Sequence, residues 1–167
     1  MFTLFVNIWY FCFVTILEVQ TGVRQPVLVE PLGVGEISQL TSRRYSFSWK
    51  KEKEYEIQKL TIVGTKEILG VVSLNIIDNE QRIEIRLLAN SIENIGAQKQ
   101  YSGIAGCLIA HVCREAVKLY GENACVSLVP KTLLREHYIN EYGMKPAGQS
   151  LCLIGPDLIN MILKHEK

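Results

Sequence analysis

The sequence predicts a single domain of mixed α/β (α+β) class built on a mostly antiparallel sheet, and three observations carry that prediction. Between residues 55 and 89, three apolar or alternating stretches are joined by short polar turns, the pattern of an antiparallel meander. Past residue 100, Ile104, Leu108, Val112, Ala116 and Leu119 recur at helical spacing. Afterwards short strand-like and helix-like runs alternate to the end of the chain. With 167 residues there is room for one sizeable core and not for two.

Met1 to Leu17 is apolar or aromatic except for Thr3, Asn7 and Thr15. It makes a poor secretory signal, with no Lys or Arg before Arg24 and no small-residue cleavage site after it. Residues 1–20 are therefore set apart as an apolar N-terminal segment (strand, lead-in or membrane anchor, or a start site assigned too early) ahead of one domain over 21–167. Inserted in a membrane, it would leave Arg24, Arg43, Arg44 and the lysines of 50–53 on the cytoplasmic side.

Val27 to Val29, between Pro26 and Pro31, predicts a short extended piece, and Glu36 to Tyr45 a short helix. Strands are expected over Tyr55–Val63, Ile68–Ile77 and Arg82–Ala89, with turns at Gly64-Thr65-Lys66 and Asp78-Asn79-Glu80. A helix is expected over Tyr101–Tyr120, with Gly121 placed as its C-terminal glycine. A strand over Ala124–Val129 ends at Pro130, and Thr132 is placed to cap a helix from Leu133 to Tyr142. Lys145–Ile154 reads as a last strand and Pro156–Lys164 as a closing helix with proline in its first turn.

A net charge of +1 gives no global field to attract nucleic acid or an anionic membrane. The five cysteines, Cys12, Cys107, Cys113, Cys125 and Cys152, form no C-x-x-C pair and none stands at metal-ligand spacing with a histidine. They are expected reduced and buried, which points to a reducing compartment, and no metal is expected.

The chemically informative junction is the strand Arg82–Ala89, the loop Asn90–Lys99, and then Gln100-Tyr101-Ser102-Gly103-Ile104-Ala105-Gly106 opening a helix. Two glycines and an alanine there cost helix propensity. Bare backbone amides at a helix start form an anion site, and the small residues would give a ligand access to them. The alternative is that they only allow tight packing against a strand.

Gln100-x-x-Gly103-x-Ala105 in this setting resembles the acetyl-CoA motif Gln/Arg-x-x-Gly-x-Gly/Ala of the GCN5-related N-acetyltransferases, which follows that family's fourth strand and opens its third helix. Val126 to Thr132, followed by His137-Tyr138 and Gly143-Met144, is similar to the family's fifth strand, fourth helix and aromatic-to-glycine ending. The resemblance covers roughly Lys59 to Leu153 and is nearest a bacterial branch with a Leu-Leu strand end, an Asn-x-Gly loop (Asn94, Gly96) and a Pro-Lys-Thr…His-Tyr segment.

The resemblance implies the acyl-CoA N-acyltransferase fold, a central mostly antiparallel sheet with splayed fourth and fifth strands flanked by helices. It implies acetyl-CoA as co-substrate and direct attack by a primary amine of a small molecule or peptide. Pantetheine would pair with backbone near Leu87, Leu88 and Ala89, and the amide of Leu88 or Ala89 would meet the developing oxyanion. The pyrophosphate would rest on Tyr101, Ser102, Gly103, Ile104, Ala105 and Gly106, with Gln100 opening the motif, and Lys131 would reach a CoA phosphate. Tyr138 is the candidate general acid, with core packing as its alternative, and Tyr142 reads as core.

Glu93 is the candidate base. Glu84 reads with Arg82 and Arg86 as a charged face. Ala89 stands where the related branch carries Glu, which points to a water path in place of a carboxylate. His137 reads as a surface residue. Two other functions are kept: a toxin-type acetyltransferase acting on aminoacyl-tRNA, which the near-neutral charge disfavours, and a non-catalytic acyl-CoA-binding module. The expected setting is the cytoplasm. A homodimer is allowed for, nucleic acid is not expected, and membrane contact is expected only through residues 1–17.

Overall fold

The computed structural model describes residues 14–166. Its strands are β1 (Thr15–Glu18), β2 (Arg24–Pro31), β3 (Glu56–Ile62), β4 (Gly70–Ile77), β5 (Arg82–Asn90), β6 (Tyr101–Ser102), β7 (Cys125–Leu128), β8 (Lys145–Ala147) and β9 (Ser150–Ile154). Its helices are α1 (Ser42–Tyr45), α2 (Ile104–Tyr120), α3 (Arg135–Tyr142) and α4 (Gly155–Lys164). The strands form one sheet in the order β6-β1-β2-β3-β4-β5-β7-β9-β8. Every neighbouring pair is antiparallel except β5 and β7, which run parallel.

The meander β3-β4-β5 and the helices α2 and α4 lie within a few residues of expectation. Five elements differ, each for a local reason. The short piece expected at Val27–Val29 is the eight-residue β2, with both prolines inside it, the Pro26 carbonyl accepting from the Val63 N–H. Tyr101 and Ser102 do not begin α2 but pair with β1, and Gly103, at φ 97°, turns the chain into a helix starting at Ile104. The expected last strand is a hairpin, because Gly148 at φ 64° reverses the chain between β8 and β9. Thr132 does not cap α3; a single 3-10 turn, Thr132–Leu134, precedes it, and no side chain caps either element. Glu36–Tyr45 divides into a 3-10 turn at Glu36–Gln39 and the one-turn α1, whose first turn is capped by Thr41 accepting from the Arg44 N–H.

Of the apolar N-terminal segment, residues 1–13 and with them Cys12 lie outside the described residues. From Thr15 the chain is β1, with Ile16 fully buried. No helix of the described residues is long and apolar enough to cross a membrane. Cys107 and Cys113 are free and buried, while Cys125 and Cys152 are free and half-buried.

The sheet carries a core on each face. On one face α2 and α4 pack over Leu60, Val72, Ile83 and Ile85, and α2 contributes Cys107, Leu108, Ile109, Val112 and Cys113 with no measurable exposure. On the other face Tyr45 and Trp49 close over Ile57, Val71 and Ala89. Tyr45 is pinned by its hydroxyl, which donates to the Ile68 carbonyl at 2.8 Å, and the Trp49 indole N–H donates to the Tyr45 carbonyl at 3.0 Å.

Gly70 sets how closely α2 approaches β4. A Cβ there would stand 2.5 Å from the Ile104 Cγ2 and 3.0 Å from the Leu108 Cδ1, both in the fully packed core. Gly70→Val is expected to lower stability by about 1–3 kcal/mol through overpacking, despite the better strand propensity of valine. Urea denaturation checks this, with a lowered midpoint and an unchanged m-value as the expected result.

Candidate functional site

The site begins with one extra residue in β5. Ser73 of β4 faces Leu87 and Leu74 faces Ile85, so Arg86 is bulged out of the ladder. At the same point the parallel register between β5 and β7 ends with Ile85 opposite Leu128, and Pro130 follows shortly after β7. The bulge bends β5 away, and beyond it the two strands enclose a cleft of about 600 Å³.

The free edge of β5 can be read from its hydrogen bonding. The Ser91 N–H donates to the Leu69 carbonyl at 2.8 Å. In an antiparallel ladder the direction alternates, so Leu87 and Ala89 also turn their amides to β4. Leu88 and Asn90 then turn their N–H and C=O groups to the opposite side, where β7 has diverged. The Asn90 Oδ1 is also buried without a partner among the described residues.

At one end of the cleft stands the start of α2. No side chain caps it, and its first helical bond runs from the Cys107 N–H to the Gly103 carbonyl, so the amides of Ile104, Ala105 and Gly106 have no intrahelical acceptor. The preceding loop is held by the buried Asn94, which accepts from the Tyr101 N–H at 2.9 Å and donates to the Ser91 Oγ at 2.8 Å. The two glycines serve different ends. Gly103 needs its positive φ and has nothing within 4 Å of where a Cβ would stand, so the approach to the amides is open. At Gly106 a Cβ would lie 2.7 Å from the His165 Nε2, so this glycine makes room for packing.

Eleven expected residues line the cleft: Leu87, Leu88, Ala89, Tyr101, Ser102, Gly103, Ile104, Ala105, Gly106, Lys131 and Tyr138. Gln100 and Glu93 do not. Gln100 is exposed, its carbonyl accepting from the Val19 N–H and its N–H donating to the Glu93 carbonyl. Glu93 ion-pairs with the Arg44 Nε at 2.9 Å, and Arg44 also holds Glu67. Partial desolvation raises the Glu93 carboxyl, but bonds from its own backbone and Ser91, together with Arg44, hold it below its ordinary value. A carboxylate so committed, outside the cleft, does not fit the base expected there.

Tyr138 is half-buried, with its ring 5.7 Å from that of Tyr142 and 6.0 Å from that of His137. Burial raises its phenol, so it is protonated at neutral pH, and its hydroxyl has no partner among the described residues. Tyr142 is pushed up to about 12, chiefly by burial. Lys131 extends to the α1 side of the cleft, its Nζ 4.5 Å from the centroid of the Phe47 ring.

Among the lining residues that sequence reading missed are Ser46, Phe47, Arg86 and His165. Ser46, at φ 70° and ψ −74°, is the centre of a γ-turn closed by the Phe47 N–H donating to the Tyr45 carbonyl at 2.9 Å. Such strain costs about 1–3 kcal/mol and persists because the buried Tyr45 and Trp49 fix both sides of it. The Arg86 guanidinium stacks 3.8 Å over the Tyr55 ring and donates to the buried Glu52, from Nε at 2.9 Å. The His165 Nε2 is buried without a partner among the described residues, and burial lowers the imidazole, which is therefore neutral. No motif marks these four; a charge interrupting β5 just before Leu87-Leu88 was the one available signal.

No family model and no curated protein matches the sequence. The fold does match solved acetyltransferases. Spermidine N-acetyltransferase from Vibrio cholerae, in complex with CoA and spermine, superposes with a TM-score of 0.59 at 14% identity, over 80% of this chain and 98% of that one. The ribosomal-protein-S18-alanine N-acetyltransferase of Escherichia coli gives 0.52 at 12% identity, over 75% and 90%. A Bacillus subtilis acetyltransferase in complex with CoA gives 0.52 at 14%, over 77% and 98%. The chain therefore has the fold of the GCN5-related N-acetyltransferases, a curled, mostly antiparallel sheet flanked by helices.

The Glu52–Arg86 pair, with Ser73 donating to Glu52 at 2.7 Å, fixes the bulge side chain. Hydrogen bonding from Arg86 is the main cause holding the Glu52 carboxyl below its ordinary 4.5. With the folded value below the unfolded one, the stabilisation is present above about pH 4.5 and is lost as pH falls through the folded value. Glu52→Gln is expected to cost about 1–3 kcal/mol at pH 7, with the gap to the unaltered protein closing as pH drops below 4.5. Urea titrations across that range check it.

Proposed function

We propose that the chain is an N-acetyltransferase that moves the acetyl group of acetyl-CoA to an amine. One observation carries the reading: an unpaired strand edge and an uncapped helix start open into the same cleft. The first suits the amide-bearing pantetheine arm and the second a pyrophosphate, and the two are set in sequence along one wall. Solved structures of the same fold bind CoA, which supports the assignment.

Acetyl-CoA supplies the activated thioester; the chain supplies position, charge and protons. The Leu88 and Asn90 backbone holds the arm in register, and the Leu88 N–H is the donor directed at the carbonyl oxygen that gains negative charge. The amides of Ile104 to Gly106 receive the diphosphate, with the exposed Lys99 beside them. The Tyr138 hydroxyl, protonated and otherwise unpartnered, gives its proton to the leaving thiolate. The single carboxylate lining the cleft among the described residues is Glu141, tied to Lys164 at 3.5 Å, so the amine's proton leaves through water.

Thiol release from acetyl-CoA with a panel of amines tests the reading, beside calorimetry of acetyl-CoA binding. Gly103→Glu is expected to abolish binding by bulk and like charge, and affinity retained within a few-fold would remove α2 from the site. Tyr138→Phe is expected to keep binding and lower kcat by about 10²-fold. Binding without thiol release from any amine would favour the non-catalytic module, a reading that the lack of a free carboxylate supports.

A further inference from the structure

Granted acetyl transfer, the wall opposite α2 bears on which amines are accepted. It is built from Ser46, Phe47, Arg86 and Lys131. Arg86 spends Nε and Nη2 on Glu52, and its Nη1 has no partner among the described residues. Its side chain keeps 32% of its exposure and lines the cleft. Lys131 forms no ion pair among the described residues; its contact is the face of Phe47. That ring is itself fixed, edge-on to Trp49 at 6.3 Å and following the strained Ser46 turn. The wall thus offers one positive charge without an ion pair among the described residues, on Lys131, and the remaining donors of Arg86, each cation lying over a half-buried aromatic ring, Phe47 and Tyr55. The single carboxylate of the lining among the described residues, Glu141, already has Lys164 beside it at 3.5 Å.

From this we infer that the acceptor is an amine that also carries a carboxylate or phosphate group, bound through Lys131 and Arg86. The Nη1 donors that Arg86 does not spend on Glu52 suit either anion, and the lysine adds the point charge that retains it. A polyamine entering the same space would bring a second cation toward Lys131, with Glu141, shared with Lys164, as the one acid of the lining to offset it, so the wall disfavours that class as well as selecting its own. The same charge favours the neutral form of the reacting amine, the form that attacks.

The test is thiol release at saturating acetyl-CoA with chain-matched acceptors: 4-aminobutyrate against butylamine and putrescine, and 2-aminoethyl phosphate against ethanolamine, with spermidine beside them. The anionic amine of at least one set is expected to exceed its matched amines by tenfold or more in kcat/KM, and which set does so tells carboxylate from phosphate. Lys131→Met, at an exposed position, is expected to raise the KM of that amine about tenfold while the KM for acetyl-CoA moves less than twofold. Equal or better use of butylamine, putrescine or spermidine overturns the inference and leaves acetyl transfer standing. A Lys131→Met variant whose KM rises for acetyl-CoA and not for the amine overturns it too, by returning Lys131 to the CoA phosphates. Failure of the unaltered protein to bind acetyl-CoA removes the acetyltransferase reading, and this inference falls with it.

Discussion

Everything at the site depends on the parting of β5 from β7. Two parallel strands that stayed paired along their length would bury their edges in each other and leave no polar backbone to bind anything. Here the pairing stops at Ile85 and Leu128, and the bulge at Arg86 begins where the pairing stops. The bulge gives β5 two consecutive side chains on the α1 face, Arg86 and Leu87, and leaves Leu88 on the α2 face among the core residues there. One inserted residue therefore frees the backbone of β5 and assigns different chemistry to the two sides of the cleft.

The two sides are stabilised by separate means. On the α2 side the site is a by-product of close packing: Gly70 admits α2 against β4, and Gly106 admits His165 against α2, so the helix start is held rigidly with its amides uncovered. On the α1 side the scaffold is polar and aromatic, with Glu52, buried to 6% exposure, holding Arg86, and Tyr45 and Trp49 holding the Ser46 turn. A site carried by packed elements resists drift better than one carried by free loops, which suits a reaction that depends on placing an amine against a thioester.

The sequence was legible where chemistry and periodicity coincide. The meander was visible in its alternation, and α2 in its apolar spacing. The glycine motif pointed to the helix start because small residues there run against helix propensity. What stayed hidden depends on geometry that a linear pattern does not carry. Gly103 and Gly106 look equivalent in the sequence, yet one is a turn and the other a packing contact. Arg86 looked like one more charge on an exposed face because register shifts leave no compositional trace. Glu93 lay near the right strand end, but Arg44, distant in sequence, draws it into a surface ion pair. Lys145–Ile154 read as one strand because nothing apart from Gly148 marks the reversal.

Amide hydrogen exchange followed by NMR, with and without acetyl-CoA, tests the central claim that β5 and α2 hold one ligand between them. Leu87 and Ala89, paired with β4, are expected to be protected in both states. Leu88 and Asn90, together with Ile104, Ala105 and Gly106, are expected to exchange quickly in the free protein and to become protected when acetyl-CoA is added. Protection of one group without the other, or of neither while acetyl-CoA binds, would contradict the account and place the ligand elsewhere on the fold.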